Sequence, residues 1–529
     1  MAEQHRPRAV VNPASKVSRA ERERARGCRV RPELPACAIV IFGASGDLTA
    51  RKLFPALYSL YAKGRFPDEF VIVGCARSEM GDEGFREKMR TAMEDHGSID
   101  SDVWERMASR LFFHRMEYDS QEGYVSLSER IETLDREHGT NGNRLFYLAV
   151  PPTLYPVIAE HLGRAGMAAR EGTQGFSRMV VEKPFGHDLS SARELDRTLH
   201  QYFSEDQIFR IDHYLAKETV QNILMLRFAN AIFEPVWNRT HVEYVSIIAA
   251  ESLGVGHRAG YYDKAGVLRD MFQNHMMQLL ALSAMGPPTR FYADRVRDEK
   301  TRLYRSLRPF DVSREFEDIV LGQYGPGESG GEPVPGYREE PSIAPDSTTP
   351  TFAMIRAFVD NWRWQGVPFY ITSGKRLKSK ISRIVVQFKE VPHSILRDVV
   401  QEQIAANRLF LGIYPDEVIH MSFMSKVPAP SLCLEPVIMH YGFENADFGE
   451  KLEAYEKVLV DCILGDQMLF WRQDGVELTW GFLTPILEMC EECSDLKRHL
   501  HTYPAGSWGP EPACDLHPGY FRDVQNEIS

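Results

Sequence analysis

Cysteine is scarce in this chain, with eight among 529 residues. Such a low density excludes a scaffold built on disulfides and favours a reducing compartment such as the cytoplasm. Cys490 and Cys493 form a single CxxC pair. Because zinc and redox sites usually need more ligands or a specific context, we interpret both as structural thiols and expect no metal site.

Long apolar runs and excess positive charge are also missing. No segment reaches the roughly 18 uncharged apolar residues of a membrane-spanning helix, since polar residues such as Gln278 interrupt the longest candidate. The 62 Lys and Arg are outnumbered by 74 Asp and Glu, for a net charge of −12. We therefore expect neither a membrane nor a nucleic-acid partner. With 43 % hydrophobic residues, the chain has material for two to four domains of about 150 residues each.

Successive regions of the sequence differ in composition and in their strand and helix patterns. Residues 1–35 are basic and lack the apolar core of a secretory signal, so we expect a flexible arm. Residues 36–210 alternate strand and helix patterns, which predicts a parallel, Rossmann-like α/β domain. In residues 211–510 strands cluster, which predicts an α+β domain with a large, mainly antiparallel sheet, and its Gly-, Pro- and Ser-rich segment 322–350 is typical of a loop. We assign residues 511–529 to a tail.

A glycine loop follows the first predicted strand and opens a helix; it reads Gly43-Ala44-Ser45-Gly46-Asp47-Leu48. Glycines allow a close backbone approach, and the helix N-terminus offers free N–H groups to a pyrophosphate. The spacing is GxxG rather than GxGxxG. A plain strand–helix turn, capped by Ser45 or Asp47, is therefore the alternative.

The end of the second strand distinguishes two dinucleotides. NAD binders usually carry an acidic residue there, for the ribose hydroxyl. This chain has Arg77 followed by Ser78, and a guanidinium suits a 2′-phosphate. We predict NADP as the cofactor, with NAD as a weaker acceptor; a plain surface arginine is the alternative.

A second motif runs from Arg210 to Glu218 as RIDHYLAKE. We predict a helix, on which His213 and Lys217 share a face and can converge on one anion. Asp212 then points about 100° away, toward a different partner. The alternative is a solvated helix with ion pairs.

A third motif surrounds His275, which lies on the apolar stripe of a predicted helix. A half-buried histidine with one carboxylate partner suits a general base, whereas the alternative is a core histidine without catalytic function. Asp270 fits a helix cap, with Gln273 completing a capping box. Lys183 and Lys375 follow strands and are either functional or surface charge.

Taken together, these segments resemble the glucose-6-phosphate dehydrogenase family over roughly residues 38–510. The combination of RIDHYLxKE with a downstream RDxxxNH is highly specific to that family. The matching segments, in family order, are IFGASGDLTARKLFPALYSL, VGCARS, YLAVPP, EKPFG, RIDHYLAKE, GYYDKAGVLRDMFQNHMMQLL, NWRWQGVPFYITSGKRL, AYEKVLVDCILGD and YPAGSWGP.

The resemblance implies oxidation of β-D-glucose 6-phosphate to 6-phosphoglucono-1,5-lactone with reduction of NADP, the first step of the oxidative pentose phosphate pathway. It implies His275 as the general base and Asp212 as the residue that orients its ring. The residues implied for the substrate are His213, Tyr214 and Lys217 at the phosphate, with Lys183, Glu251, Asp270, Lys375 and Lys380 at the rest of the sugar. Those implied for the cofactor are Gly43, Ser45, Gly46, Asp47, Leu48, Arg77, Ala149, Pro151, Pro152 and Lys183.

The resemblance also implies a homodimer or tetramer in the cytoplasm. The family often has arginine where this chain has Lys380, so a second, structural NADP site stays open. Two other functions stay open as well. One is a sugar oxidoreductase of the glucose–fructose oxidoreductase type, which would not need the cations at His213 and Lys217. The other is an inactive NADP-binding scaffold, which the presence of both Asp212 and His275 disfavours.

Overall fold

The structure is a computed structural model that describes residues 33–97, 99–168, 175–314, 316–396, 404–428, 430, 432–442, 452–492 and 496–525. The predicted basic arm lies outside the described residues, apart from residues 33–35. Cys493 of the CxxC pair also lies outside them, whereas Cys490 is buried.

The N-terminal part of the chain folds into a six-stranded parallel sheet. Its strands are β1 (Cys37–Phe42), β2 (Phe70–Ala76), β3 (Leu111–Arg115), β4 (Arg144–Leu148), β5 (Ser177–Val181) and β6 (Ile208–Arg210). The spatial order is β3-β2-β1-β4-β5-β6. β1 and β2 are buried along their whole length, as expected for apolar strands covered on both faces. The predicted Rossmann-like architecture is confirmed.

Helices cover both faces of this sheet. They are α1 (Phe54–Ala62), α2 (Asp82–Glu94), α3 (Ser101–Ala108), α4 (Gln121–His138), α5 (Tyr155–Arg164) and α6 (Leu189–Leu199). A π-helical turn, Thr49–Leu53, leads into α1. Successive residues of β1 point to opposite cores, because side chains alternate along a strand. Ile39 belongs to the core that contains Leu57 of α1, and Val40 to the core that contains Leu127 of α4.

The second sheet has nine strands and is mainly antiparallel, as predicted. Its strands, in spatial order, are β16 (Leu434–Gly442), β15 (Val418–Lys426), β14 (Arg408–Tyr414), β13 (Ile381–Phe388), β7 (Val242–Ala250), β12 (Pro368–Gly374), β11 (Phe352–Phe358), β8 (Ile319–Gly325) and β17 (Leu500–Pro504). Within this sheet, only the pairs β7–β12 and β8–β17 are parallel among the described residues.

The prediction of a loop over residues 322–350 is partly wrong. Gly322 belongs to β8 and pairs with Phe352, and a small hairpin follows, formed by β9 (Gly327–Ser329) and β10 (Glu332–Val334). Glycine lowers strand propensity, but backbone pairing with a strong neighbouring strand outweighs that preference here.

The remaining helices pack around the second sheet and between the two sheets. They are α7 (Glu218–Phe228), α8 (Ala259–Val267), the π-helical segment Leu268–Met276, α9 (Met277–Ala284), α10 (Ala293–Arg305), α11 (Ala454–Leu464), α12 (Gln473–Glu492), α13 (Leu496–His499), α14 (Pro512–Leu516) and α15 (Tyr520–Gln525). Short 3-10 turns span Pro152–Leu154, Glu205–Gln207, Glu234–Val236, Gly256–Arg258, Val312–Arg314 and Tyr337–Glu339. Among all described helices, none combines the length and apolar character needed to cross a membrane.

Two segments near the C-terminal end of the described chain pack against parts of the fold formed by earlier residues. α11 buries Leu459 and Ile463 in the same core as Leu57 of α1, so the C-terminal part of the chain also covers the first sheet. The described residues of the predicted tail fold onto the second sheet, where buried Asp523 forms an ion pair with Arg408 of β14. The domain boundary at residues 210 and 211 stays a prediction.

Candidate active site

The site forms where β6 ends, and its first element is the turn that carries Asp212. The predicted helix over RIDHYLAKE is wrong, because helix α7 begins only at Glu218. The Asp212 side chain prevents an earlier start: its Oδ1 accepts a hydrogen bond from the Tyr214 N–H at 3.0 Å, which stabilises a turn in place of a helix. Asp212 is buried as a result.

His275 approaches Asp212 from the π-helical segment. Its Nδ1 lies 2.6 Å from Asp212 Oδ1, and both side chains are almost fully buried, with side-chain exposures of 2 % for His275 and 0 % for Asp212. The predicted pairing of a histidine with one carboxylate is therefore present, and the burial is more complete than predicted. A π-helical segment places side chains differently from a regular helix and often occurs at functional sites.

The electrostatics of this pair favour an ionised carboxylate beside a neutral ring. Burial by itself raises the pKa of Asp212, but the charge and hydrogen bond of His275 outweigh it and lower the pKa to about 2. Burial lowers the pKa of His275 below its ordinary value of 6.5 and the Lys183 charge lowers it further, while Asp212 acts in the opposite direction. Near neutral pH the ring can therefore accept a proton.

Lys183 lies on the other side of the ring. Its Nζ is 3.2 Å from His275 Nε2 and donates a hydrogen bond to the Asp270 carbonyl oxygen at 2.9 Å. The position follows from the fold, because Lys183 comes just after β5, beside the end of β6. The peptide bond between Lys183 and Pro184 is cis.

Asp270 is not the helix cap that the sequence predicted. It lies inside the π-helical segment and is buried, and its carboxylate faces Lys183 at 3.5 Å and Lys375 at 3.8 Å. These cations and Arg258 lower its pKa, against the effect of burial. Gln273 is buried and makes no capping bond; neither of its amide atoms has a hydrogen-bond partner within the described structure.

Lys375 and Glu251 come together because they follow two neighbouring parallel strands. Gly374 of β12 pairs with Ala250 of β7, so the next residues of both strands lie at the same sheet edge. Lys375 Nζ is 2.6 Å from Glu251 Oε2. This edge faces the π-helical segment, which explains the approach of Lys375 to Asp270.

Rings and cations stack around His275. The Tyr214 ring is stacked on the His275 ring with a centroid distance of 4.2 Å, and the His213 ring meets its edge at 4.6 Å. Lys217 Nζ lies 4.1 Å above the Tyr214 ring. Burial and the neighbouring His275 lower the pKa of His213 to about 3, so His213 serves as a neutral hydrogen-bonding group. His213 and Lys217 therefore lie in the same region, and a turn rather than a helix places them there.

Lys380 lies just before β13, and its Nζ lies 4.6 Å over the Tyr414 ring. Ser382, two residues further on, acts on Tyr214 through a side-chain hydrogen bond. The start of β13 is therefore near the stacked rings, and the role of Lys380 at the substrate stays a prediction.

The glycine loop lies at the C-terminal edge of the first sheet. Gly43 has a φ of 85°, and a Cβ atom at this position would lie 2.2 Å from the Ala149 carbonyl oxygen. Only glycine fits there. The cap alternative is wrong, since neither Ser45 nor Asp47 caps the helical turn that begins at Thr49. Asp47 instead pairs with Arg51 at 2.9 Å.

The loop and the end of β4 form one surface. Ala149 N–H donates to the Phe42 carbonyl at 2.9 Å, which places Pro151 and Pro152 beside the loop as the next residues. Arg77 is exposed at the end of β2 and acts on the pKa of Tyr118. The Tyr118 hydroxyl accepts a hydrogen bond from the Gly43 N–H at 2.9 Å. Loop, Ala149 and Arg77 are thus brought together.

Sequence reasoning missed several residues of this region. Lys88 of α2 donates to the Ser45 carbonyl at 2.7 Å. Arg258 lies 3.7 Å from Asp270 Oδ1, and the buried Tyr262 ring lies under Lys375 Nζ at 4.9 Å. The half-buried Glu182, next to Lys183, accepts hydrogen bonds from Tyr147 and Tyr455 at 2.7 and 3.2 Å. Two of these residues had a signal: Glu182 is part of the EKPFG motif, and Tyr262 is part of the GYYDKAGVLRDMFQNHMMQLL motif.

Two groups of potential metal ligands occur in the described chain. The first is Asp212, His213 and His275, with ligand atoms within 4.8 Å of one another; the bond between His275 and Asp212 already uses two of them. The second is Asp196, His200 and Glu205. There Arg210 donates to both carboxylates at 2.7 and 2.8 Å, so a cation already neutralises them.

Comparisons with known proteins bear on the whole chain. Residues 40–222 match the family domain described as "Glucose-6-phosphate dehydrogenase, NAD binding domain", and residues 224–520 match "Glucose-6-phosphate dehydrogenase, C-terminal domain". A protein of Aggregatibacter actinomycetemcomitans named glucose-6-phosphate 1-dehydrogenase is 44 % identical over 480 residues, covering 91 % of this chain and 95 % of the relative. One of Chlamydia pneumoniae with the same name is 44 % identical over 488 residues, covering 91 % and 94 %.

A solved structure, described as glucose-6-phosphate dehydrogenase in complex with its substrate glucose-6-phosphate, has a TM-score of 0.84 and 35 % identity. The match covers 92 % of this chain and 98 % of that one. The residues of the site fall within the two family-domain matches, 40–222 and 224–520.

Proposed function

The chain belongs to the glucose-6-phosphate dehydrogenase family, and on that premise we propose how its residues divide the work of the reaction. The enzyme oxidises D-glucose 6-phosphate to 6-phospho-D-glucono-1,5-lactone, the first step of the oxidative pentose phosphate pathway. A bound nicotinamide dinucleotide supplies the hydride acceptor. The alternatives, a glucose–fructose oxidoreductase type enzyme and an inactive scaffold, are not favoured by these relatives.

His275 is the general base, and its buried bond to Asp212 is the observation that carries this assignment. A carboxylate at Nδ1 keeps the proton on that nitrogen and leaves the Nε2 lone pair available. Nε2 takes the proton of the C1 hydroxyl as hydride leaves C1. The charge of Asp212 stabilises the imidazolium that results and keeps the ring oriented.

The sugar phosphate is bound by the groups around this ring. Its dianion needs cations and hydrogen-bond donors, which Lys217, His213 and Tyr214 supply next to His275. The residues that hold the hydroxyls and the reacting end of the sugar are Lys183, Glu251, Asp270 and Lys375, together with Lys380, which lies just before β13. The ion pair between Lys375 and Glu251 at 2.6 Å keeps both groups in place for that purpose.

The preferred dinucleotide is NADP, with NAD as a weaker acceptor. The glycine loop fits a dinucleotide, because Gly43 allows a close backbone approach to Ala149 and the N–H groups of Ser45, Asp47 and Leu48 lie where a helix starts. Arg77 carries the positive charge that a 2′-phosphate requires. Ala149, Pro151 and Pro152 would hold the nicotinamide end, and Lys183 would serve both cofactor and substrate.

We also propose a homodimer, or a tetramer built from it, in the cytoplasm. Self-association is supported by exposed apolar side chains on the outermost strand β16, namely Val437, Ile438, Met439 and Tyr441. Such a row along a sheet edge favours pairing with another surface. The net charge of −12 supports the absence of a nucleic-acid partner.

The proposed function is tested by absorbance at 340 nm with purified protein. Glucose 6-phosphate is supplied with NADP or NAD in parallel, and free glucose is the control. We expect rapid NADPH formation that depends on the 6-phosphate, with slower formation of NADH. Activity on free glucose alone would contradict the assigned phosphate site, and folded protein without activity on either sugar would support the scaffold.

A further inference from the structure

A buried lysine behind the catalytic pair has no assigned role. Lys300 lies in the middle of α10, and its side chain is buried, with an exposure of 4 %. Its Nζ has no hydrogen-bond partner among the described residues. An ammonium group removed from water without a partner costs several kcal/mol, so such a residue needs an explanation.

The face of α10 that carries Lys300 packs against both segments that hold the catalytic pair. Tyr304, one turn further on, donates a hydrogen bond to the Met277 carbonyl at 3.1 Å, two residues beyond His275. Its ring stacks on Trp471 with a centroid distance of 5.8 Å. The backbone N–H of Trp471 in turn donates to the carbonyl of Arg210 at 3.1 Å, and Arg210 lies two residues before Asp212.

One carboxylate oxygen of Asp212 also lacks a hydrogen-bond partner. Its Oδ1 accepts hydrogen bonds from His275 and Tyr214, but its Oδ2 is buried without a partner in the described structure. A buried carboxylate oxygen without a donor costs about 1–3 kcal/mol or more. The contacts of Tyr304 with Met277 and Trp471, and of Trp471 with Arg210, place this carboxylate beside the Lys300 face of α10. Its charge acts on the pKa of both Lys300 and Tyr304.

We propose that Lys300 is a positioning residue for the reaction: its ammonium group holds Oδ2 of Asp212 through one enclosed water, while Oδ1 holds His275. The inference rests on the proposed function of His275 as the base. Through Asp212, Lys300 fixes the orientation of the ring. Its positive charge also disfavours the imidazolium form of His275, which keeps the base free of a proton at neutral pH.

The other charges around Lys300 agree with this role. Arg297, one turn earlier on α10, repels the ammonium, whereas Asp212 attracts it. From the start of α12, Asp474 acts on Tyr304 and is paired with Arg472 at 2.8 Å. Burial lowers the pKa of Lys300 to about 7. That value is still above the pKa of His275, so the ammonium is present where His275 titrates.

The test compares Lys300→Met with the control Tyr304→Phe over a range of pH. The methionine variant removes the charge at similar volume, whereas the control removes a hydrogen bond in the same packing layer without changing charge. For Lys300→Met we expect kcat to fall about tenfold, with KM for glucose 6-phosphate within about twofold. We also expect the acid limb of the kcat/KM profile to move up by about one pH unit.

Tyr304→Phe should leave the acid limb unchanged, and Lys300→Arg, which retains the charge, should keep it within a few tenths of a unit of wild type. An acid limb that does not move in Lys300→Met overturns the inference but leaves His275 as the base. A wild-type enzyme without activity on glucose 6-phosphate overturns the proposed function instead.

A crystal structure of the wild-type protein keeps the test valid if Lys300→Met does not fold. We expect one enclosed water within about 3.2 Å of both Lys300 Nζ and Asp212 Oδ2. Three neutral donors of the neighbouring segments are also buried without partners in the described chain, namely Gln273 Nε2, Asn274 Nδ2 and Trp471 Nε1. If any of them contacts Oδ2 in place of that water, the inference is wrong.

Discussion

The Nδ1 nitrogen of His275 lies 2.6 Å from the Oδ1 oxygen of Asp212, although the two residues are 63 positions apart. One comes from the turn after the last strand of the parallel sheet and the other from the π-helical segment beside the large sheet. The pair therefore forms where the two halves of the fold meet. Its geometry leads directly to predictions about catalysis, pH and stability.

Replacing the base should abolish fast turnover without abolishing binding. We expect His275→Asn to lower kcat by about 10³-fold, because the asparagine amide has no basic nitrogen to take the hydroxyl proton. KM for glucose 6-phosphate should change little, and steady-state kinetics at 340 nm measure both. His213→Gln is the matched control, since its ring lies 4.6 Å from that of His275; it should mainly raise KM. A kcat for His275→Asn near that of wild type would exclude His275 as the base.

The pH dependence of the wild-type enzyme follows from the lowered pKa of His275. Burial and Lys183 shift this pKa below 6.5, so the ring is already neutral at pH 7. We expect kcat/KM to be level around neutral pH and to fall tenfold per pH unit only at acidic pH, below 6.5. Steady-state kinetics with varied substrate concentration, from pH 5 to 8, measure this fall in kcat/KM. A midpoint above pH 7 would show that the Asp212 charge outweighs burial.

Cofactor choice should depend on one guanidinium. Arg77→Ala removes the cation assigned to the 2′-phosphate, so we expect KM for NADP to rise by at least about tenfold while KM for NAD changes by less than about twofold. Parallel titrations with the two dinucleotides measure the ratio.

Arg110→Ala is the matched control, because Arg110 lies near the opposite end of the same sheet and pairs with Glu69 at 2.8 Å. It should leave both KM values unchanged. Equal changes for NADP and NAD in Arg77→Ala would refute the 2′-phosphate role.

His200 should stabilise the fold in a pH-dependent manner. Its two nitrogens each lie 3.1 Å from a carboxylate, that of Asp196 or Glu205, and these bonds raise its pKa from 6.5 to about 10. Since the folded state holds the proton more tightly, the stabilisation is complete below pH 6.5 and disappears as the pH rises through 10. We expect His200→Gln to lower the free energy of unfolding by about 2 kcal/mol at pH 6.

Urea unfolding of wild type and His200→Gln at pH 6, 8 and 10 measures this difference. The exposed His96, which contacts only backbone carbonyls, provides the control His96→Gln. A difference between wild type and His200→Gln that is the same at every pH would indicate lost packing and not a lost charge.

Much of the site could be located from the sequence because its residues sit at the ends of strands. Lys183, Glu251 and Lys375 each follow an apolar run, and the carboxyl ends of neighbouring parallel strands share an edge. Gly43 was recognisable for the same reason. The two misplaced elements, the helix at Asp212 and the cap at Asp270, both involve carboxylates whose partners are remote in sequence.

What the sequence determined by itself was local: the strand and helix patterns of the two sheets, the glycine loop, the cation after β2 and the motifs that mark the family. Only the tertiary structure decided that Asp212 begins a turn and pairs with His275, and that Lys300 lies buried behind this pair. Local patterns follow from backbone preference and apolar periodicity, which act over a few residues. The pairing of buried charges depends on which segments exclude water together, and only the completed packing of both sheets determines that.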